Sequence, residues 1–356
     1  MKKNVLFLLV FCCLGVSALL AQVPAREDNA LRIMSYNIRN CRGMDNVMDI
    51  RRVADVINEV KPDFVAIQEV DSAANRTDKL YVLGEVARRV LMHPVFAPAI
   101  DHDGGKYGVG LLSREAPLRT RTIPLPGREE ARVLLVAEFK DCYVCCTHLA
   151  LTEEDRVKSV EIIVDELKDS DKPVFLAGDM NATYESAEQE MLRRHFVTFN
   201  NPKQPTFRAD NPHECIDFIY GMKADDNTFA LLARNVLNTQ ASDHLPLYVD
   251  VRIKAREEDI FRTKPYLQNP TDNGITVSWF THVPVHSWVE YGLDGKLDKR
   301  MELYVDGQMI CNNKHHKIRL TNLEPGKTYS YRVCSRQITL YQAYKKIFGE
   351  TARSEV

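Results

Sequence analysis

The chain is 356 residues long, 45% hydrophobic and 27% charged, which suits a globular protein with room for two domains and excludes a disordered one. Its 47 basic and 49 acidic residues leave a formal net charge of -2, so the basic excess of a protein that grips nucleic acid by charge alone is missing.

Residues 1–21 read as a secretory signal peptide. Lys2 and Lys3 give the basic start, Val5 to Leu20 the apolar core, and Ala21 the small residue before Gln22. An uncleaved anchor helix is the alternative, and the apolar run is short for a membrane span. Cys12 and Cys13 lack the small preceding residue of a lipidation site, because Phe11 stands there. The expected location is periplasmic or secreted, with no transmembrane segment in the mature chain. Seven cysteines then remain, and an odd number leaves at least one free thiol. Cys142, Cys145 and Cys146 lie in an apolar strand and are expected as buried thiols, while Cys311 and Cys334 are a candidate disulfide. None of the cysteines has the spacing of a zinc site.

Residues 30–254 alternate short strands with helical stripes. Arg32 to Ile38 is a predicted strand, and Asp49 to Val60 a helix with Ile50, Val53, Ala54 and Ile57 on one face and Pro62 beyond its end. Phe64 to Gln68 is again a strand. Leu80, Leu83, Ala87, Val90 and Leu91 predict a helix over Lys79 to Met92. Strands at Tyr107 to Leu112, Arg132 to Phe139 and Tyr143 to His148 are spaced closely enough for antiparallel hairpins. Thr152 caps the next helix, whose first turn holds Glu153, Glu154 and Asp155 and whose buried face is Val157, Val160, Ile163, Val164 and Leu167. Strands at Val174 to Ala177, Ile216 to Tyr220 and Leu247 to Ile253 close the domain. This is an α/β pattern: two packed, largely antiparallel sheets flanked by helices, in four layers α/β/β/α.

Polar residues recur where these strands stop. Asn37, Glu69, His148 and the pair Asp179 and Asn181 follow apolar runs, Asp217 sits inside IDFIY, and Asp243 with His244 lies in SDHLPLYVDV. Each has an ordinary reading alone, since Gly, Asp and Asn form turns and a lone histidine is commonly structural. Together they suit phosphoryl chemistry. Glu69, Asn37 and Asp243 offer hard oxygen ligands for Mg2+ or Mn2+, and His244 oriented by Asp217 has the basicity to take a proton from water. Asn181 and His148 would donate hydrogen bonds to phosphate oxygens. Tyr107 either binds substrate or only caps its strand beside Gly105 and Gly108, and Arg114 and Arg132 either meet phosphate or form surface ion pairs.

These motifs, SYNIR, QEVD, YGVGLLSR, THL, GDMN, IDFIY and SDHLP, run in order from residue 35 to residue 246, and residues 31–253 resemble the endonuclease/exonuclease/phosphatase (deoxyribonuclease I-like) superfamily. The resemblance implies that Glu69 binds the metal with Asn37 beside it and Asp243 as a further metal-side acid. It implies that Asp179 stands by the attacking water, that Asn181 binds phosphate, and that Asp217 and His244 form the general-base dyad. Either His244 or Asp179 takes the proton. The signature of inositol polyphosphate 5-phosphatases is missing, as GDMNATYES and HECIDFIYG show, and His148 in THL departs from the apurinic endonucleases. What remains is a phosphodiester or phosphomonoester of a lipid headgroup or small organic phosphate, with a secreted DNA endonuclease as the alternative. No stable nucleic-acid complex is expected. A non-catalytic binding protein on the same scaffold is the third reading, opposed by the completeness of the polar set.

Residues 259–356 carry strands and turns without helices, after a charged junction at 254–259. GITVSWFTH and LEPGKTY suggest a small all-β sandwich domain with Tyr329 as a tyrosine corner. This part resembles a fibronectin type III domain, more narrowly the N-terminal domain of purple acid phosphatases, and reads as a docking module or a relic of a two-enzyme architecture. Its tail from Gln337 onward shows no clear final strand, so the domain is expected to be incomplete.

Overall fold

Two parallel strands start the first sheet, β1 (Leu31–Asn37) and β2 (Phe64–Ser72), with helix α1 (Ile50–Val60) carrying the chain back between them. The computed structural model describes residues 23–27, 30–222, 228–254, 260–342 and 344–356; the leader expected over 1–21 and residues 255–259 of the junction lie outside them. α1 begins where Asp49 accepts the Arg51 N–H and ends where Lys61 turns left-handed at φ 53°, one residue before Pro62. Its buried residues include all four expected from the spacing.

Helix α2 (Val82–Val90) is shorter than the expected 79–92. Lys79 adopts φ 59° and Tyr81 bridges Ser72, so the helix starts only at Val82. Leu80 and Leu91 are exposed, and Val82 and Val86 take their places in the core. β3 (His93–His102) and β4 (Gly105–Ser113) follow as a hairpin beside β2.

The chain then builds the second sheet from β5 (Arg119–Leu125), β6 (Arg132–Glu138), β7 (Tyr143–His148), helix α3 (Glu153–Leu167), β8 (Val174–Asp179), helix α4 (Ala187–His195), β9 (Phe196–Thr198) and β10 (Asp217–Met222). β11 (Phe229–Val236) and β12 (Leu247–Ile253) return to the first sheet. The orders are β11-β12-β1-β2-β4-β3 and β5-β6-β7-β8-β10-β9. The expected run of neighbouring hairpins is corrected: β4 and β6 lie in different sheets, and only β6 and β7 pair.

Three apolar clusters separate four layers. Ile33, Phe64, Leu135, Phe175 and Val249 fill the space between the sheets. Tyr36, Val53 and Val86 join the first sheet to α1 and α2, and Val160, Ile163 and Phe218 join the second to α3 and α4. Thr152 precedes α3, but its hydroxyl bonds Glu129 instead of capping the helix.

The second unit is β13 (Tyr266–Thr271), β14 (Gly274–Leu293), β15 (Lys299–Glu302), β16 (Tyr304–Val305), β17 (Gln308–Met309), β18 (Asn313–Leu320), β19 (Tyr329–Gln342) and β20 (Lys345–Arg353). β14 is one long strand that pairs with β13 and β18 along its first half and with β15 and β19 along its second. Val277 and Trp279 from one half meet Val289 and Tyr291 from the other in a single core. The Glu324 N–H donates to the Tyr329 hydroxyl at 3.1 Å, the expected tyrosine corner. The tail does supply a last strand, since β20 pairs along β19. The candidate disulfide is not formed: Cys311, Cys334 and the other five described cysteines are free and buried. Among the described residues no helix is long and apolar enough to cross a membrane.

Candidate active site

Strand direction gathers the polar residues. β1 and β2 are parallel, with Asn37 opposite Gln68, and β7 and β8 are parallel, with His148 opposite Asp179, so these ends share one edge of the sandwich. β10 runs the other way and places its first residue, Asp217, opposite Asp179. His244 arrives on the segment entering β12, whose Leu247 pairs with Ser35.

Asn37 is fully buried at the centre of the group. Its Nδ2 donates to Glu69 Oε1 and to Asp179 Oδ2, both at 3.0 Å, and lies 3.4 Å from His244 Nε2. Its Oδ1 accepts the Arg39 N–H at 3.1 Å. In this geometry the amide clamps two carboxylates together, and its oxygen, with two lone pairs, keeps one beside the Arg39 N–H for the metal-side role expected from sequence.

Glu69 reaches the site because β2 breaks its alternation. The register with β4 shifts between Ile67 and Val70, and Glu69 itself sits at φ 59°. Burial raises its pKa, against the Asn37 hydrogen bond and the His244 charge, and Asp243 and Asp179 add to the rise. Asp243 lies at the outer side with Oδ2 3.6 Å from Arg39 Nε and Oδ1 3.3 Å from the Ser242 hydroxyl.

His244 Nδ1 lies 2.9 Å from Asp217 Oδ2, and its Nε2 3.6 Å from Asp179 Oδ2. Burial alone would depress the imidazole, but Asp217, Asp179 and Asp243 outweigh it and raise the pKa to about 10. Asp217 Oδ1 is buried with no partner. The dyad is held by a segment that sequence reading missed. Thr206 Oγ1 accepts the N–H groups of Ile216 and Asp217 at 3.2 and 3.3 Å, its carbonyl accepts the Leu245 N–H at 2.7 Å, and the Phe207 ring packs 4.7 Å from the His244 ring. A lone threonine in a loop gives no sequence signal for this.

Asp179 Oδ1 accepts the Asn181 N–H at 2.9 Å, and Asn181 takes the left-handed φ of 48° that asparagine tolerates. That turn sets Asn181 Nδ2 2.9 Å from Leu149 O and 3.0 Å from His148 Nε2. Burial lowers the His148 pKa to about 3; Asp179 opposes this, and the Arg132 and His244 charges reinforce it. His148 is therefore a neutral imidazole at ordinary pH. Arg132 pairs with Glu130 and also places Nη1 3.4 Å from His148 Nδ1, while Arg114 pairs with Asp63 on the far side of β2.

Tyr107 lies opposite Asp71 on β4, under the Arg76 guanidinium at 5.6 Å. Burial pushes its phenol pKa up, with the Glu69 charge adding. No described hydrogen bond ties it to the cluster.

Asp179, Asp217 and His244 each offer a ligand atom within 4.8 Å of the others and form a group able to hold a metal ion. His244 Nδ1 already bonds Asp217 there, however. The donor set fits a hard divalent cation in two respects: a buried carboxylate oxygen is orphaned, and Glu69, Asp179 and Asp243 crowd like charge into one low-dielectric corner.

Residues 34–244 match the Endonuclease/Exonuclease/phosphatase family, and residues 262–345 match the Purple acid Phosphatase, N-terminal domain. Among solved structures, an endonuclease/exonuclease/phosphatase from Beutenbergia cavernae is similar over 92% of this chain and 99% of its own, at 18% identity and a TM-score of 0.54. A mannosyl-6-phosphatase from Bacteroides thetaiotaomicron is similar over 62% of this chain and 99% of its own, at 16% identity and 0.50. The catalytic domain of human Nocturnin matches 63% of this chain and 94% of its own, at 17% identity and 0.50. At such identities the likeness establishes the fold. No curated protein matches the chain.

Proposed function

The chain belongs to the Endonuclease/Exonuclease/phosphatase family, and from that premise we propose that it is an exported, divalent-metal-dependent phosphoesterase acting on a lipid headgroup or small organic phosphate. The observation that carries the proposal is the Asn37 amide, which holds Glu69 and Asp179 at 3.0 Å each and stands 3.4 Å from His244. A metal-side acid and the water-side pair are thereby fixed around one point.

Glu69 and Asp243 are the residues we assign to the cation, magnesium first and manganese second. When bound, it neutralises phosphate charge and steadies the leaving oxygen. Asp179 faces the attacking water and receives its proton, while the His244 imidazolium, fixed from Nδ1 by Asp217, steadies the developing negative charge from Nε2. Asn181 gives a phosphate oxygen the hydrogen it now gives to His148.

The substrate class rests on charge. Five arginines around the site each face a carboxylate: Arg39 with Asp243, Arg76 with Asp71, Arg132 with Glu130, Arg156 with Glu188 and Arg208 with Asp210. Cations so paired offer little to the long phosphate backbone that dominates DNA affinity. Sugar phosphates belong among the candidates, because a neighbour of the same fold is named a mannosyl-6-phosphatase. Export is supported by the basic and apolar leader of residues 1–21.

The test is a panel of sphingomyelin, phosphatidylinositol, sugar phosphates and plasmid DNA with magnesium, repeated in excess chelator. Release from a lipid or small phosphate that chelation abolishes is the expected result. Full turnover in chelator would refute the metal, and rapid nicking of plasmid with nothing released from the others would make the protein a nuclease.

A further inference from the structure

Residues 149–152 join β7 to α3 and belong to neither element, yet all four of their carbonyls are used. Leu149 O accepts Asn181 Nδ2 at 2.9 Å. Ala150 O, at 3.3 Å, and Leu151 O both accept Nη1 of Arg156, and Thr152 O accepts the Arg156 N–H at 3.1 Å. On the loop's other side the Leu149 N–H donates to Asp179 O at 3.0 Å. The loop that follows His148 is thus clipped by one guanidinium, and that guanidinium is anchored through Nε by Glu188 on α4.

Glu188 is wholly buried, and its Oε2 has no partner. A buried ion pair of this kind is a weak source of stability, because desolvating two charges offsets most of their attraction. Apolar side chains of similar volume would join α3 to α4 as well. They could not bond two successive carbonyls, and a lysine, whose three donors all sit on one nitrogen, could not hold those carbonyls and Glu188 from two separate nitrogens as Nη1 and Nε do.

We infer that the Arg156–Glu188 pair is a positioning device for Asn181: it fixes the backbone of 149–151, and Leu149 O in turn holds the Asn181 amide against His148. The inference rests on the phosphoesterase reading, in which Asn181 meets the phosphate. A loop shift of about 1 Å takes the 2.9 Å bond out of range, and displacements of that size cost on the order of a hundredfold in rate.

Two variants test it on whichever phosphoester the panel finds best. Arg156→Leu combined with Glu188→Leu removes both charges and keeps the volume; Arg156→Lys keeps a cation against Glu188 without the fork. Both are expected to unfold near the parent's temperature while kcat falls about tenfold or more and KM changes little, the pattern of an interaction made in the transition state. In an Asn181→Ala background the same changes are expected to add nothing, because they act through that amide. Parental kcat in either variant, or losses that simply multiply with that of Asn181→Ala, would overturn the inference. Should the leucine pair fail to fold, Arg156→Lys alone decides. Asn181→Ala with parental turnover would bring down the phosphate-binding reading and this inference together, whereas a crippled Asn181→Ala beside a parental Arg156→Lys would bring down the inference only.

Discussion

The two units bury polar groups in different currencies. Strands β1–β12 and their helices bury six carboxylates, Asp71, Asp155, Asp179, Glu188, Asp217 and Asp250; among the described residues, β13–β20 bury none. The second unit buries hydroxyls and rings that bond as neutral groups: Ser287 with Ser335 at 2.8 Å, Trp279 with Ser335 at 3.3 Å and Thr281 with His316 at 3.1 Å. Within the first unit the acids divide again. Asp71, Asp155, Glu188 and Asp250 each have an arginine of their own, Arg76, Arg128, Arg156 and Arg32. Asp179 and Asp217 have none and share the single His244 ring, and of the two Asp179 alone also accepts from the Asn37 amide. Two buried acids on one shared imidazolium leave net negative charge in a low-dielectric corner, which is expensive, so such a pair marks where a cation or a reacting proton belongs.

The division can be broken by exchanging one acid from each class for its amide. Asp179→Asn is expected to lower kcat by about a thousandfold, since it removes the group we assign to the reacting water, and to leave the unfolding temperature near the parent's. Asp250→Asn is expected to do the reverse. It leaves Arg32, a buried guanidinium bonded to both Asp250 oxygens at 2.7 Å, without its counter-ion, and should cost about 3–5 kcal/mol of stability while the folded fraction keeps its turnover. Calorimetry beside steady-state kinetics decides. Loss of activity without loss of stability in Asp250→Asn would erase the distinction.

That distinction was half legible in the sequence. The acids and amides stood out because they followed apolar runs at strand ends, and the structure brings Asn37, Glu69, His148, Asp179, Asn181, Asp217 and His244 to one edge. Their arginine partners did not stand out, because Arg32 and Asp250, or Arg156 and Glu188, meet only through the fold. The missed elements share a physical reason. β3, with Pro94 and Pro98, lies at the edge of its sheet, and so do β5 and β11, whose residues are mostly exposed or half-buried; edge strands need no apolar alternation and tolerate proline. α4 is short and faces inward with Glu188 and Gln189 as well as Leu192, which hides its stripe. The Glu69 bulge turns on one backbone angle that no residue type announces.

In the second unit the comparison sharpens at low pH. His316 stacks on Trp279 with ring centroids 5.0 Å apart, and burial, reinforced by the His315 and His286 charges, lowers its pKa to about 4. The folded value lies below the unfolded one of about 6.5, so the fold favours the neutral ring. Its stabilising share is complete above about pH 6.5 and is lost as pH falls toward 4, amounting to roughly 3 kcal/mol. His316→Gln keeps a hydrogen-bonding group for Thr281 and removes the titration. The parent should lose more stability than this variant between those pH values, measured by denaturant melts, and equal acid limbs would show that the ring is not held neutral.

The smallest effect expected is at the tyrosine corner, and it probes whether the second unit matters to the chemistry at all. Tyr329 is half-buried beside Tyr291, and its hydroxyl accepts the Glu324 N–H at 3.1 Å across the LEPGKTY turn. Tyr329→Phe keeps the ring and deletes the acceptor. Glu324 is exposed, so water takes over its N–H and the full penalty of a buried orphan does not arise. The net loss is then that of one ordinary hydrogen bond, about 0.5–1.5 kcal/mol. Because the change sits among neutral groups, it should move the unfolding temperature and leave kcat and KM untouched. A fall in kcat from so mild a substitution would mean that β13–β20 take part in setting the geometry of the active site, and that the two units are less separate in function than their buried charges suggest.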